Sequence, residues 1–345
     1  MSIKKKWIKH IGIFLCVFAI CAIALYGAWR IWFDPYRGTV STFEKSEELD
    51  TILTGMQASE DLKFIVNRLR ERHPACISDL PSAVQKAYER EYAELSESTE
   101  VTVLSLWQSA SRVLARLEDA HTMVRAYYED TKFLPLLFSW EGQRLVCSGG
   151  EYDGYTVNKI GGVSVTQLYE RFQEKFSYEF DAWARHAFAS RINCSDYLAF
   201  VGINTGREIE ISLERQNDGS STVRFGPVIW KNQPGRQKNQ QAEYVFSGDE
   251  YVLTGEDSFS SAVDFATLLS DNGLCMVVGE IPGNMPSSYG DILYFQTPNA
   301  LLAFTVSYKY FIRPDASKSN LPLLPDIQVP AHDAMEETLR LIHKN

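Results

Sequence analysis

The chain has 345 residues, 45% of them hydrophobic and 23% charged, with a formal net charge of −10. That length supports a sizeable buried core spread over two or three subdomains. The acidic balance, with no basic face to neutralise phosphates, argues against nucleic acid as a partner.

Residues 1–10 form a basic tail, and Ile11 to Trp29 then runs without a charge. Nineteen residues at about 1.5 Å each span roughly 28 Å, close to the hydrocarbon thickness of a bilayer. A cleaved leader has a shorter apolar region, and the small-x-small word Ala22-Ile23-Ala24 lies inside this run rather than after it. The expectation is an uncleaved transmembrane signal anchor over 11–33, single-pass in the cell membrane. The lysines favour a cytoplasmic N-terminus, so the rest of the chain is expected outside. Cys16 and Cys21 fall in this run; Cys76, Cys147, Cys194 and Cys275 are too sparse for a disulfide framework, which leaves one bridge open. There is no CxxC and no metal-like spacing, so no metal and no cofactor is expected.

After a polar linker (34–48), residues 49–130 read as helical. Leu62, Ile65, Val66 and Leu69 form one apolar stripe that stops at His73-Pro74; Ala83, Ala87, Tyr88 and Leu95 form a second; Leu104, Trp107, Ala110, Ser111 and Leu114 form a third. The third leads into Asp119-Ala120-His121-Thr122. His73 reads as a helix-end residue, and Asp119 as a cap or orienter of its turn.

From 131 to 229 the pattern changes to short strands, and Gly154 to Val165 has the look of a PDZ-like strand and turn, a module that adds a peptide to an exposed sheet edge. A plain β subdomain that binds nothing fits equally well. Ile209, Ile211 and Leu213 alternate before the hairpin turn Asn217-Asp218-Gly219. Residues 230–243 are polar and turn-forming, a loop or seam.

The segment 244–345 holds the strongest pattern. Tyr251 to Thr254 is β-prone, Ala262, Phe265, Ala266 and Leu269 recur at helical spacing, Asn272-Gly273 stops the helix, and Cys275 to Val278 is a second buried strand. The expected unit is strand–helix–strand, a parallel crossover. Ser260 stands where the first strand hands over to the helix. Free backbone N–H groups and the helix dipole can receive an oxyanion there, although a serine at a helix start also serves as an ordinary cap. Asp291 to Phe295 and Ala303 to Ile312 flank Thr297-Pro298-Asn299 as a hairpin, and Ala334, Thr338, Leu341 and Ile342 give a closing helix.

Phe259-Ser260-Ser261-Ala262, Asp271-Asn272-Gly273, Gly279-Glu280 and Pro286-Ser287-Ser288-Tyr289-Gly290-Asp291 stand in an order that resembles the nucleophile segment of the tail-specific, C-terminal-processing serine peptidases, tricorn-core and retinoid-binding-module type. The resemblance implies a mixed α+β / α/β fold with a crotonase-like (ClpP-like) ββα core. It also implies Ser260 as nucleophile, the Ser261 backbone N–H as oxyanion donor and His121 as base. A late acid before Pro325-Asp326-Ile327 is implied as well, with Asp315 the best placed and Glu280 its competitor. Peptide or protein would be the substrate.

The pattern departs from the family in two places. Between Tyr197 and Tyr251 there is no Asp-x-Arg-x-Asn-x-Gly-Gly word, which in the relatives supplies the second oxyanion donor. Where tail-specific members place a lysine base, this chain has Met285, so a Ser–His arrangement is expected. The expected function is a membrane-anchored peptidase. The alternative is a catalytically impaired relative that binds a peptide or a lipophile.

Overall fold

The computed structural model describes residues 3–32, 34, 36–206, 208–215, 219–225, 228–229 and 249–343. The expected seam at 230–243 and the turn residues Asn217 and Asp218 lie outside them. The chain divides into two compact units, Met1–Ser41 and Thr42–Asn345. In the first, helix α1 (Ile3–Trp32) covers the expected anchor, and Phe14, Ile20, Ile23 and Leu25 present their side chains outward. Among the described residues no helix is long and apolar enough to cross a membrane; side chains of α1 are described without a break only over 13–29.

The second unit opens with β1 (Ile52–Leu53), α2 (Gly55–Arg72), α3 (Ser82–Glu97), β2 (Val101–Thr102) and α4 (Val103–Leu114). Thr54 starts α2 with a capping box shared with Gln57. The α2 stripe Leu62, Ile65, Val66 and Leu69 is fully buried as the 3.6 period requires. On α3 the buried face is Val84, Ala87, Glu91 and Leu95, so Ala83 faces outward. Glu91 is tolerated inside because Arg112 of α4 donates to both its oxygens, at 2.8 and 2.6 Å. Trp107 donates its ring N–H to the carbonyl of Val124 at 2.8 Å and so fixes α4 over β3 (Val124–Arg125).

The middle of the chain is β-rich and interleaved with helices. β4 (Lys132–Phe133) precedes β5 (Phe138–Glu141), β6 (Arg144–Cys147), β7 (Thr156–Ile160) and β8 (Val163–Ser164). Helices α5 (Val165–Gln173), α6 (Asp181–Arg191) and α7 (Ser195–Phe200) follow, then β9 (Ile209–Arg215), β10 (Gly219–Phe225) and β11 (Val228–Ile229). Five of these strands order as β10-β9-β7-β6-β5, with β8 paired to β7. β9 and β10 pair antiparallel from Arg215↔Gly219, the register of the expected hairpin, and β11 pairs β4.

The last third contributes two small sheets. β12 (Tyr251–Thr254), α8 (Ser261–Asp271) and β13 (Met276–Gly279) form the expected crossover, and the strands are parallel, Tyr251↔Met276 through Thr254↔Gly279. The second sheet is the antiparallel hairpin β14 (Tyr289–Gln296) and β15 (Ala303–Tyr310), with β3 paired to β15. β16 (Ile327–Gln328) then joins β13 in parallel, and α9 (Ala334–Ile342) closes the chain.

Two details differ from expectation. Helix α8 buries Val263, Ala266 and Thr267 while Phe265 is exposed, a face rotated from the one periodicity suggested. On α9 only Ala334 and Thr338 are buried. All six cysteines are free, with Cys76, Cys147 and Cys194 buried.

Candidate active site

Ser260 is the N-cap of α8, with φ 58° and ψ −125°. A positive φ at a residue with a Cβ is strained, and such strain is held in place only by surrounding contacts. A serine on a strained strand-to-helix turn presents its hydroxyl clear of the sheet. Three contacts hold the turn. Glu280 N–H bonds the carbonyl of Thr254 at 3.0 Å. Gly283 N–H bonds that of Ser258 at 2.9 Å. Asn284 Oδ1 accepts the Ser260 N–H at 2.6 Å. Two glycines make this possible: a Cβ on Gly279 would lie 2.0 Å from the Thr254 oxygen, and one on Gly283 would lie 2.6 Å from the Glu256 oxygen. The N–H of Ser261, at the first turn of α8, has no acceptor among the described residues and remains free to donate.

His121 arrives from the other end of the chain. The ring of Phe259, the residue before Ser260, packs on its imidazole at 4.7 Å between centroids and stacks on Trp183 at 3.9 Å. The residue that precedes Ser260 is therefore in ring contact with the imidazole singled out from sequence. No hydrogen bond joins His121 to Ser260: neither ring nitrogen of His121 has a partner, and both are shielded from solvent.

Asp119 is more than a turn former. It is fully buried, accepts the His121 backbone N–H at 2.9 Å, and its Oδ1 lies 3.6 Å from His121 Nδ1. Its Oδ2 takes the Thr122 hydroxyl at 2.6 Å and faces His73 Nε2 at 3.2 Å. His73 Nδ1 accepts the Ala75 N–H, which places the ring proton on Nε2. Burial pushes the Asp119 carboxyl up, but the hydrogen bonds from His121, His73 and Thr122 outweigh it and hold the group well below the usual carboxylate range. His73 is thus a helix-end residue, as read from sequence, and also a second imidazole on this carboxylate.

Glu179 is a carboxylate to which the sequence assigned no role. Its Oε2 accepts the Met285 N–H at 2.8 Å, and Oε1 is buried without a partner. Burial, with Asp119 adding to it, pushes its carboxyl up to about 7 against the opposing pull of the Met285 N–H and His121. The position where relatives place a lysine therefore supplies a backbone donor instead. Asp315 belongs elsewhere. Its carboxylate accepts from Ser317 at 2.6 Å and pairs with Lys318 at 3.0 Å, beside the buried Asp271–Arg313 pair. Asp119 and Glu179 lie beside His121, and the Asp264 carboxylate of α8 also feels its charge; among the described residues Asp315 makes no such contact, so the orienting role implied for it has nothing to act through. Glu280 holds the Thr254 turn through its main chain.

A cleft of about 280 Å³ opens beside the imidazole, walled mainly by Phe43, Trp183, Phe259, Ile292, Tyr294 and Phe304. A larger cavity of about 570 Å³, among Glu48, Asp50, Asp130 and Asp196, includes neither Ser260 nor His121.

No protein family and no curated protein matches the sequence. Among solved structures, mature CPAF complexed with lactacystin superposes with a TM-score of 0.62 at 10% identity, covering 84% of this chain and 98% of that one. The chain has the fold of CPAF. At that identity the likeness speaks for the fold alone. The photosystem II D1 C-terminal processing protease is also similar at 10% identity, covering 79% of this chain and 93% of that one with a TM-score of 0.38. The tricorn protease follows at 10% identity, 84% and 37% coverage and 0.41.

Proposed function

We propose that the protein is a serine-type peptidase acting on peptide or protein substrates. The observation that carries this is the Phe259 contact, which sets the strained Ser260 turn against the His121 imidazole. In the reaction, His121 Nε2 takes the Ser260 hydroxyl proton as Oγ attacks the peptide carbonyl, and returns it to the leaving amine. Asp119 holds the Nδ1–H tautomer and offsets the charge on the imidazolium. The Ser261 N–H receives the oxyanion at the positive end of α8. The apolar cleft takes a substrate side chain. The charge-free run 11–29 with the lysines before it supports, as part of this reading, a single-pass anchor with the rest of the chain outside the cell, although no described helix is long and apolar enough to cross a membrane.

One observation favours a second reading, a catalytically impaired relative that binds a peptide or lipophile in the same cleft: the Phe259 ring covers the imidazole, and no bond links His121 to Ser260. A fluorophosphonate probe on wild type and Ser260→Ala separates the two. Labelling of wild type alone is expected; absence of labelling in both selects the binding module, and equal labelling ends the nucleophile assignment.

A further inference from the structure

His121 has Asp119 and Glu179 beside it, with the Asp264 carboxylate also feeling its charge, and a serine peptidase needs only one carboxylate. The donor atoms of Asp119, His121 and Glu179 all lie within 4.8 Å of one another. Asp119 Oδ1 accepts the His121 backbone N–H and lies 3.6 Å from the ring Nδ1, which leaves it lone-pair capacity toward the imidazole. Glu179 Oε1 and both His121 ring nitrogens are shut off from solvent without a partner. In the proton relay Asp119 faces Nδ1 and Nε2 turns to Ser260, which still leaves Glu179 Oε1 with no donor. A buried carboxylate oxygen with nothing to accept from is costly. A cation would satisfy all three groups at once.

One imidazole nitrogen and two carboxylate oxygens form a ligand set that suits zinc, with a fourth position left for water. Zinc–ligand bonds of about 2.0–2.2 Å place tetrahedral ligands roughly 3.4 Å apart, so the trio has to contract. The two loops are already pinned together, because the Asp119 N–H donates to the Ser177 hydroxyl at 3.0 Å. Such a site is invisible to sequence spacing, since its third ligand comes from a separate loop.

We propose that Asp119, His121 and Glu179 bind a zinc ion reversibly, and that zinc and serine-type catalysis exclude each other because one imidazole serves both. The exclusion rests on the peptidase reading; the binding does not. Isothermal titration of zinc into the chelator-stripped full-length protein tests the binding. One equivalent per chain is expected, with affinity weakened at least tenfold in Glu179→Gln, a near-isosteric change whose amide oxygen can still accept from Met285. Cobalt added to wild type gives an independent readout: visible absorption bands of a tetrahedral nitrogen–oxygen site, absent in His121→Ala. Absence of stoichiometric binding, or a Glu179→Gln protein that binds like wild type, overturns the site. Fluorophosphonate labelling of Ser260 should fall in step with zinc occupancy and return with chelator. Persistent labelling at full occupancy overturns the exclusion. Zinc binding in a protein that never labels rejects the peptidase and supports the site.

Discussion

Asn284 Oδ1 accepts the backbone N–H of Ser260 at 2.6 Å, while Asn284 Nδ2 donates to the Met285 carbonyl at 2.8 Å. One fully buried amide thus ties the Ser260 turn to the loop that also feeds Glu179. Asn284→Ala leaves a buried donor unpaired, at a cost of roughly 1–3 kcal/mol. Labelling at Ser260 should drop by about tenfold or more, whereas Asn284→Asp, which keeps the acceptor, should retain most of it. Denaturant melts paired with probe kinetics check this; a folded Asn284→Ala protein that labels at the wild-type rate would refute it.

The backbone at Ser260 stores strain that glycine would not feel. Ser260→Gly should be more stable than Ser260→Ala by about 1 kcal/mol, with both devoid of labelling, because φ of 58° penalises any Cβ. Equal melting temperatures for the two variants would show that the turn is unstrained.

Asp119 serves two imidazoles, and the two should separate in their effects. Asp119→Asn removes the charge both depend on, so labelling should fall by about 10⁴-fold, as loss of an orienting acid does in such triads. His73→Gln lacks direct access to the reacting atoms and should lower stability more than it lowers the labelling rate. A His73→Gln protein as inactive as Asp119→Asn would place His73 in the chemistry.

The pH dependence of stability should carry the mark of Asp271, away from the site. The Arg313 guanidinium, with two N–H groups on this carboxylate at 2.9 and 2.7 Å, holds its carboxyl below the ordinary range. A depressed native value means that the stabilisation is present above the unfolded-chain value of about 3.9 and is lost as pH falls through the native one. Wild type should therefore lose stability faster below about pH 4 than Asp271→Asn does. At pH 7 that variant, with the guanidinium buried and unpaired, should be less stable by roughly 3 kcal/mol. Parallel acid-melting curves for the two proteins would contradict the pairing.

Much of the architecture is written in local pattern. The α2 stripe, the β12–α8–β13 crossover and the β14–β15 hairpin each lie within one short segment, where a period of 3.6 or 2 and a turn residue suffice. Ser260 and His121 were found by resemblance, and the turn at Ser260 by its position between strand and helix. What escaped notice depends on packing. Nothing in the sequence near Asp119 shows that it is buried against His73, and Glu179 gains its place only because the loop before α6 folds over His121. Asp315 precedes the expected Pro-Asp-Ile word, but order along a chain does not measure distance. The outward face of α8 misled for a related reason: Phe265 fits the helical period yet stays exposed, and neighbouring elements decide which stripe is covered.

The pairing of β3 with β15 also has a temporal meaning. Val124 meets Phe304 and Arg125 meets Ala303, and the Asp61 carboxylate of α2 grips the main-chain N–H groups of Asn299 and Ala300. The segment that carries the imidazole is therefore held partly by local contacts such as the Trp107 bond to Val124 and partly by this pairing, whose partners are far apart in sequence and so meet slowly. On the proposed peptidase reading, the imidazole would be set against the Ser260 turn only once this long-range pairing had closed.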